Sequence, residues 1–439
     1  MTSPTSEAPA PVVAQLVEPS SRVRWTVLAL LFLLASLAYV QRLNFQVASE
    51  AMIPDLGLSL QQMGWVFAAF SWGYALFQIP GGLLGVRFGF RATVLWIGVS
   101  WGVLTALVGV VPAALPTGAM VATLFVLRLL MGIAQAPYFP LQGGVVERWF
   151  PPAGWAFPNG LVSCGLAFGA AATAPAVAWV MEVAGWRLSF LVLAPCGLPL
   201  VALWWWVVRD DPATHPWVSP GELRRIREGR GAAAEAVRPW RERISVLRDR
   251  RVLLLTASYF SMNYVFYMFF QWLFLYLVQE RGFGVIQSGF LASLPWMVGA
   301  VSGAVGGGVC DLLSRRVGPR WGCRLSAMVP LPLVAVLLLV GARASGAVLA
   351  LAALTLCFAC VQFTDAAYWA AATYAGGRDT AAATGVLNTG GNLPGILTGV
   401  TTPILVAKFG WIAALGTGSV FAIVAALLWL WIDVGEGRS

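Results

Sequence analysis

From residue 22 to residue 434, apolar runs about 20 residues long alternate with short polar stretches rich in Gly, Pro and Arg. A helix rises 1.5 Å per residue, so about 20 apolar residues cross the hydrocarbon core of a bilayer. The first six runs are Trp25–Val47, Gln62–Leu84, Ala92–Val111, Met120–Pro140, Phe157–Val180 and Leu188–Val208. After a long polar stretch come Val252–Val278, Gln287–Val309, Leu325–Gly341, Ala347–Tyr374, Ala381–Val406 and Ile412–Ile432. Backbone groups in lipid must be paired within the protein, and runs of this length pair them as helices. The pattern predicts an all-α membrane protein: twelve transmembrane helices in two pseudo-symmetric six-helix halves, 22–208 and 252–434. A cytoplasmic linker, 209–251, joins the halves, with cytoplasmic tails at 1–21 and 435–439. The first tail is dominated by Pro, Ala, Ser and Thr and reads as disordered.

Composition narrows the function. Hydrophobic residues make up 59% of the chain and charged residues 11%, against about 45–50% and about 25% in soluble proteins. That excludes a soluble enzyme, a nucleic-acid binder and a secreted disulfide scaffold. The basic excess has another explanation. With the N-terminus inside, 22 of the 28 Lys and Arg fall in cytoplasmic segments, eleven of them arginines of the linker. The positive-inside rule then places both termini in the cytoplasm of a cell (inner or plasma) membrane. All six cysteines lie in or beside apolar runs, and Cys357-x-x-Cys360 reads as helix packing. The stretch Glu222-Leu-Arg-Arg-Ile-Arg-Glu228 reads as a short amphipathic helix on the membrane surface. No metal-ligand set, Ser/His/Asp set or pair of carboxylates converges within the runs. No enzyme activity, metal or cofactor is expected.

The chain repeats itself. A shift of 225 superposes Gly64 on Gly289, Gly82 on Gly307, Arg91 on Arg316, Gly160 on Gly385 and Gly185 on Gly410. Two such units imply a parallel repeat about an axis along the membrane normal, able to rock about a central cavity.

Two arginines, Arg42 and Arg128, lie inside apolar runs. An arginine at the bilayer centre costs about 2.5–3.5 kcal/mol on insertion scales. Each therefore needs a partner, a cluster of carbonyls or a watery cavity. Neither has an acidic residue within reach in its own run. Their planar forks suit an anionic guest, a carboxylate above all; alternatively they are structural arginines capped by carbonyls. One intramembrane carboxylate, Asp365, remains. Burial favours its neutral form and a nearby arginine its charged form. It is a candidate proton carrier, or else a fixed counter-ion for Arg42 or Arg128 or a cavity hydrogen-bonder. On the seventh run Tyr259, Asn263, Tyr267 and Gln271 share one helical face, a stripe too polar for lipid that lines a cavity or bonds helix to helix. Asn388 and Asn392 share a face one turn apart.

The loops carry a resemblance. The segment Gly81-Gly82-Leu-Leu-Gly85-Val86-Arg87-Phe-Gly89-Phe-Arg91 resembles the signature loop of the major facilitator superfamily. It recurs as Gly307-Gly308-Val-Cys-Asp311-Leu-Leu-Ser-Arg315-Arg316. The resemblance assigns Gly82, Arg87, Arg91, Asp311, Arg315 and Arg316 to cytoplasmic gating. The family's latching acid is Val86 in the first copy. Further segments resemble the anion:cation symporter family, which includes sugar-acid and phthalate permeases and the sialic-acid and vesicular glutamate carriers. They are Tyr39-Val-Gln41-Arg42-Leu-Asn44, Arg128-Leu-Leu-Met-Gly132-Ile-Ala-Gln135, the linker opening Arg209-Asp210-Asp211-Pro212, and Asn388, Gly391, Asn392, Gly395 and Pro403 with Trp369 before them.

The resemblance implies a transporter of a small organic anion, a carboxylate or sugar acid. It would work by rocker-switch alternating access as a monomer in the lipid bilayer. Tyr39, Gln41, Gln135, Trp369, Asn388 and Asn392 join the expected binding set. Proton-coupled members carry Asp and Glu where this chain has Gln41 and Gln135, which cannot ionise. Protons as a partner therefore rest on Asp365. Other readings are a lysolipid, amphiphile or drug exporter on the same scaffold, or a non-transporting sensor derived from a carrier.

Overall fold

A computed structural model describes residues 20–151, 155–228, 248–377 and 380–434. The expected N-terminal tail (up to residue 19), residues 229–247 of the linker and the 435–439 tail lie outside the described residues. Within them the chain is all-helical apart from turns. The N-terminal part comprises α1 (Val23–Asp55), α2 (Leu60–Phe88), α3 (Phe90–Gly109), α4 (Thr117–Gln135), α5 (Tyr138–Trp149) and α6 (Ala156–Val207). A short linker helix, α7 (Pro220–Arg227), follows. The remainder comprises α8 (Arg250–Gln279), α9 (Val285–Val317), α10 (Pro319–Met328), α11 (Pro330–Arg343), α12 (Ala347–Gly376), α13 (Thr380–Asn392) and α14 (Pro394–Leu428). Nine helical stretches among the described residues are long and apolar enough to cross a membrane. The chain is a multi-pass membrane protein.

Apolar runs and helices differ in boundary for identifiable reasons. The fourth run continues as α5 to Trp149, past a break at Ala136 and Pro137. The ninth starts earlier, at Pro319, and is re-initiated at Pro330. The fifth and sixth runs are continuous through α6, whose only non-helical residue is Gly185 at φ 78°, ψ 165°. In α14 the corresponding hinge is Gly410 at φ 77°, ψ 175°. A side chain at such a φ would strain the backbone, so glycine makes both reversals possible. These hinges stand 225 residues apart, as do the turn glycines Gly57 and Gly282, at φ 61° and 68°.

The constant shift fails in one place. Gly89 and Gly318 share nearly the same backbone (φ 84°, ψ 151° and φ 86°, ψ 156°) but stand 229 apart. The cause is the length of α9, 33 residues against 29 for α2. Arg91 therefore corresponds to Arg320, not Arg316. Each meets an aspartate: the Arg91 amide donates to Asp210 Oδ1 at 2.9 Å, and Arg320 Nη1 lies 3.3 Å from Asp433 Oδ2.

Helices α1–α6 meet α8–α14 closely at the end of the bundle away from the linker. A Cβ added to Gly64 on α2 would collide with the Gly399 carbonyl on α14, and one on Gly289 with the Ala174 carbonyl on α6. Ala174 and Gly399 are themselves 225 apart, so the same contact is made twice. At the linker end the equivalent pair Gly160 and Gly385 would meet nothing within 4 Å. Backbone-to-backbone packing across the seam thus occurs at Gly64 and Gly289 and not at Gly160 and Gly385.

The linker docks onto the bundle. Glu222 of α7 is fully buried and its carboxylate accepts from the amides of Val23 (3.1 Å) and Arg24 (3.0 Å) and from the Ser21 hydroxyl. This caps the first turn of α1, whose own N-cap, Arg22, makes no side-chain cap. The expected surface helix is thus held to protein through Glu222 and Ile226, while Arg224, Arg225 and Arg227 face outward. Nearby, His215 Nε2 lies 2.7 Å from the Val207 carbonyl, and its Nδ1 accepts from the Trp217 amide at 3.1 Å. Burial between Trp149 and Trp217 lowers its pKa below the usual imidazole value.

Candidate functional site: a central cavity with one caged arginine

Arg42 sits midway along α1 and is 3% exposed. The guanidinium carbon lies 4.5 Å from the ring centres of Phe70 and Phe270 and 4.8 Å from that of Tyr74. Each such face offers about 0.5–2 kcal/mol of cation–π attraction. Nη2 donates to the Tyr267 hydroxyl at 3.0 Å, while Nε has no hydrogen-bond partner. No carboxylate lies within ion-pair distance among the described residues. The cage thus holds a cation without neutralising it.

Tyr267 passes the contact on. Its hydroxyl donates to Asn392 Oδ1 at 2.7 Å, and Asn392 Nδ2 donates to the Asn388 carbonyl at 2.7 Å. Asn388 Nδ2 then donates to Gln78 Oε1 at 3.1 Å. This chain runs from α1 through α8 and α13 back to α2, crossing the seam twice. The Arg42–Tyr267 pair itself joins positions 225 apart.

Asp365, on α12, accepts from the Tyr259 hydroxyl at 2.9 Å. It forms no ion pair with Arg42 or Arg128, so the counter-ion alternative does not describe this arrangement.

Between these groups lies a cavity of about 280 Å³. Of the expected binding residues, Tyr39, Arg42, Tyr259, Asn263, Tyr267, Asp365, Trp369, Asn388 and Asn392 line it. Gln41, Arg128, Gln135 and Gln271 do not. Gln135 Nε2 donates to the Ala38 carbonyl at 3.2 Å, tying α4 to α1. Gln271 Nε2 donates to the Gly395 carbonyl at 2.8 Å and Oε1 accepts from Thr398 at 2.9 Å, tying α8 to α14. The Gln41 amide is buried without a hydrogen-bond partner among the described residues. Arg128 is buried over Phe45 and Phe70, at 4.5 and 4.7 Å, with Nε and Nη2 unpartnered. Phe70 therefore faces both guanidiniums, and only Arg42 reaches the cavity.

Three polar lining residues escaped the sequence reading: Tyr74, Ser163 and Gln362. Phe70, Tyr74 and Gln78 follow one another at four-residue spacing, which would have put them on one face of α2. Gln362 precedes Asp365 by three, on the same face of α12.

The loop residues expected to gate lie at the linker end. The Arg91 guanidinium sits over Trp205 at 3.9 Å and Nε donates to the Trp205 carbonyl at 2.7 Å. Arg87, Asp311, Arg315 and Arg316 are exposed, and Gly82 lies within α2.

With this geometry in hand, comparison with known proteins is decisive. The family model "Major Facilitator Superfamily" matches residues 30–371. The chain belongs to the major facilitator superfamily. It is a membrane transporter, not an enzyme. It is 30% identical over 428 residues to the "Probable galactarate/D-glucarate transporter GudP" of Bacillus subtilis (strain 168), covering 92% of this chain and 91% of that one. It is 28% identical over 421 residues to the "D-galactonate transporter" of Escherichia coli O6:H1, covering 93% and 95%. Its fold matches the crystal structure of a bacterial homolog of the human lysosomal transporter Spinster in an inward-facing, occupied conformation. The TM-score is 0.75 at 16% identity, covering 94% of this chain and 97% of that one. In this facilitator the cavity lies between helices of both parts of the chain, near the middle of α1.

Proposed function

We propose that the protein carries a small organic anion, a carboxylate or sugar acid, across the membrane by rocker-switch alternating access. The observation that carries this is Arg42: a buried guanidinium, lining the central cavity, with no protein carboxylate to neutralise it. A guest carboxylate supplies that charge, and the relatives' names point to sugar acids. Arg128, behind Phe70, acts as a positioning residue.

The supporting architecture is twelve crossings in two halves, 22–208 and 252–434. Nine stretches qualify outright, the hinges at Gly185 and Gly410 divide two of them into double crossings, and α2 is 29 residues long. The excess of arginine at the linker end favours cytoplasmic termini and a cytoplasmic linker. The end packed at Gly64 and Gly289 then faces away from the cytoplasm. Asp365 is the candidate for carrying a proton, since Gln41 and Gln135 cannot.

The test is ligand-induced thermal stabilisation and proteoliposome uptake over a panel of sugar acids. Arg42→Gln should lose at least 100-fold in affinity; unchanged affinity in that variant would refute the reading. For the proton, uptake with and without a pH gradient should differ in wild type and not in Asp365→Asn.

A further inference from the structure

Among the described residues that line the cavity, Arg42 is the only basic side chain and Asp365 the only carboxyl group, and they form its two poles. Each is anchored to a tyrosine of α8: Arg42 to Tyr267 at 3.0 Å, Asp365 to Tyr259 at 2.9 Å. Eight residues separate those tyrosines, which is about 12 Å along the helix. Asn263 lines the wall one turn from each. Arg128 supplies no second cation to the cavity, because its guanidinium lies over Phe45 and Phe70 and outside the lining.

From this charge count we infer that the site selects a hydroxylated monocarboxylate of about six carbons and discriminates against the matching dicarboxylate, with Asp365 the discriminating residue. The inference rests on the reading that Arg42 binds a carboxylate in this cavity. One end of the guest gives its carboxylate to Arg42. The chain's hydroxyls meet Asn263, Asn388 and Asn392. The far end then lies near Asp365, where a hydroxyl donates a hydrogen bond. A hydrogen bond at each end adds about 3 Å, so a six-carbon chain bridges the poles. A second carboxylate at that end has no cation to meet and faces Asp365, like charge against like charge. Specificity here comes from the repulsive element as much as from the attractive one.

The experiment compares full-length purified protein at pH 7.5 against four acids: D-gluconate and D-galactonate, each singly charged, and D-glucarate and galactarate, each doubly charged. Sorbitol serves as the neutral polyol. Wild type should bind the monoanions at least tenfold more tightly than the dianions. Asp365→Asn should narrow that ratio at least fivefold, mainly by improving dianion binding. Equal or tighter dianion binding by wild type overturns the inference without any variant, as does an unchanged ratio in Asp365→Asn. If the acids bind no better than sorbitol, the underlying carboxylate reading fails and the inference with it, an outcome distinct from loss of discrimination alone.

Discussion

Arg42 poses a problem that aromatic rings solve only halfway. Rings attract a guanidinium but return no net charge, so the site is stable while empty and still cationic. Among the described residues, the Tyr267 hydroxyl is the one hydrogen-bond acceptor that Arg42 has. Replacing Tyr267 by Phe removes it, leaving another buried donor unpaired at a cost of about 1–3 kcal/mol. The unliganded melting temperature of Tyr267→Phe should fall. The increment from a saturating sugar acid should grow, because the guest then supplies the missing acceptor. An unchanged increment would count against direct contact between guest and guanidinium. Charges within apolar runs were the most legible part of the site: Arg42 and Asp365 stand out in sequence because lipid tolerates so few of them. The exclusion of Arg128 was not legible. It depends on the Phe70 ring standing between α1 and α4, a tertiary fact without a local signature. The resemblance puts Gln41 and Gln135 in the binding set and the polar face of the seventh run puts Gln271 there, yet Gln135 and Gln271 spend their amides on carbonyls of neighbouring helices.

Among the elements, α7 does more than its length suggests. A charged acceptor at a helix start satisfies orphan amides and opposes the positive end of the helix dipole. Glu222→Ala should cost about 1–2 kcal/mol, within the range of lost helix caps. The loss should show as faster amide exchange in the first turn of α1, while the centre of α8 keeps its protection. His215 adds a pH dependence. Its folded pKa is depressed, so the neutral ring is the one that the fold favours. Its contribution is fully present above about 6.5, the usual histidine value, and is lost as pH falls through the lower folded value. Acidification should therefore speed proteolysis within 209–227, and His215→Gln should flatten that dependence. Most element boundaries were legible from apolar run length alone. The continuity of α6 and α14 through their hinges was not, because a glycine between two runs reads equally well as a loop. Nor was the four-residue extension of α9, which moves Arg91's counterpart to Arg320.

Taken whole, the molecule packs backbone against backbone at Gly64 and Gly289, away from the linker, and the cavity lies between its two parts. Ser163 lines that cavity and is exposed. In a background with Cys164 and Cys196 replaced by Ser, Ser163→Cys should react with a membrane-impermeant maleimide from the linker side only, and a bound sugar acid should slow the reaction several-fold. Equal labelling from both sides would contradict the seal at Gly64 and Gly289. Conversely, Gly64→Val should weaken that seal and admit reagent from the opposite side. The doubled architecture was visible in sequence as the shift of 225, but which mouth is shut was not, since that shift relates the two halves within each mouth and carries no signal of which mouth is closed.

The contact at Gly64 has a consequence for energetics. Gly64 and Gly399 bring two backbones together with no side chain between them. Opening that end, as the proposed swing requires, would part only small groups at this point. Such a contact is weak enough for the binding of a cargo of about a dozen heavy atoms to offset its loss.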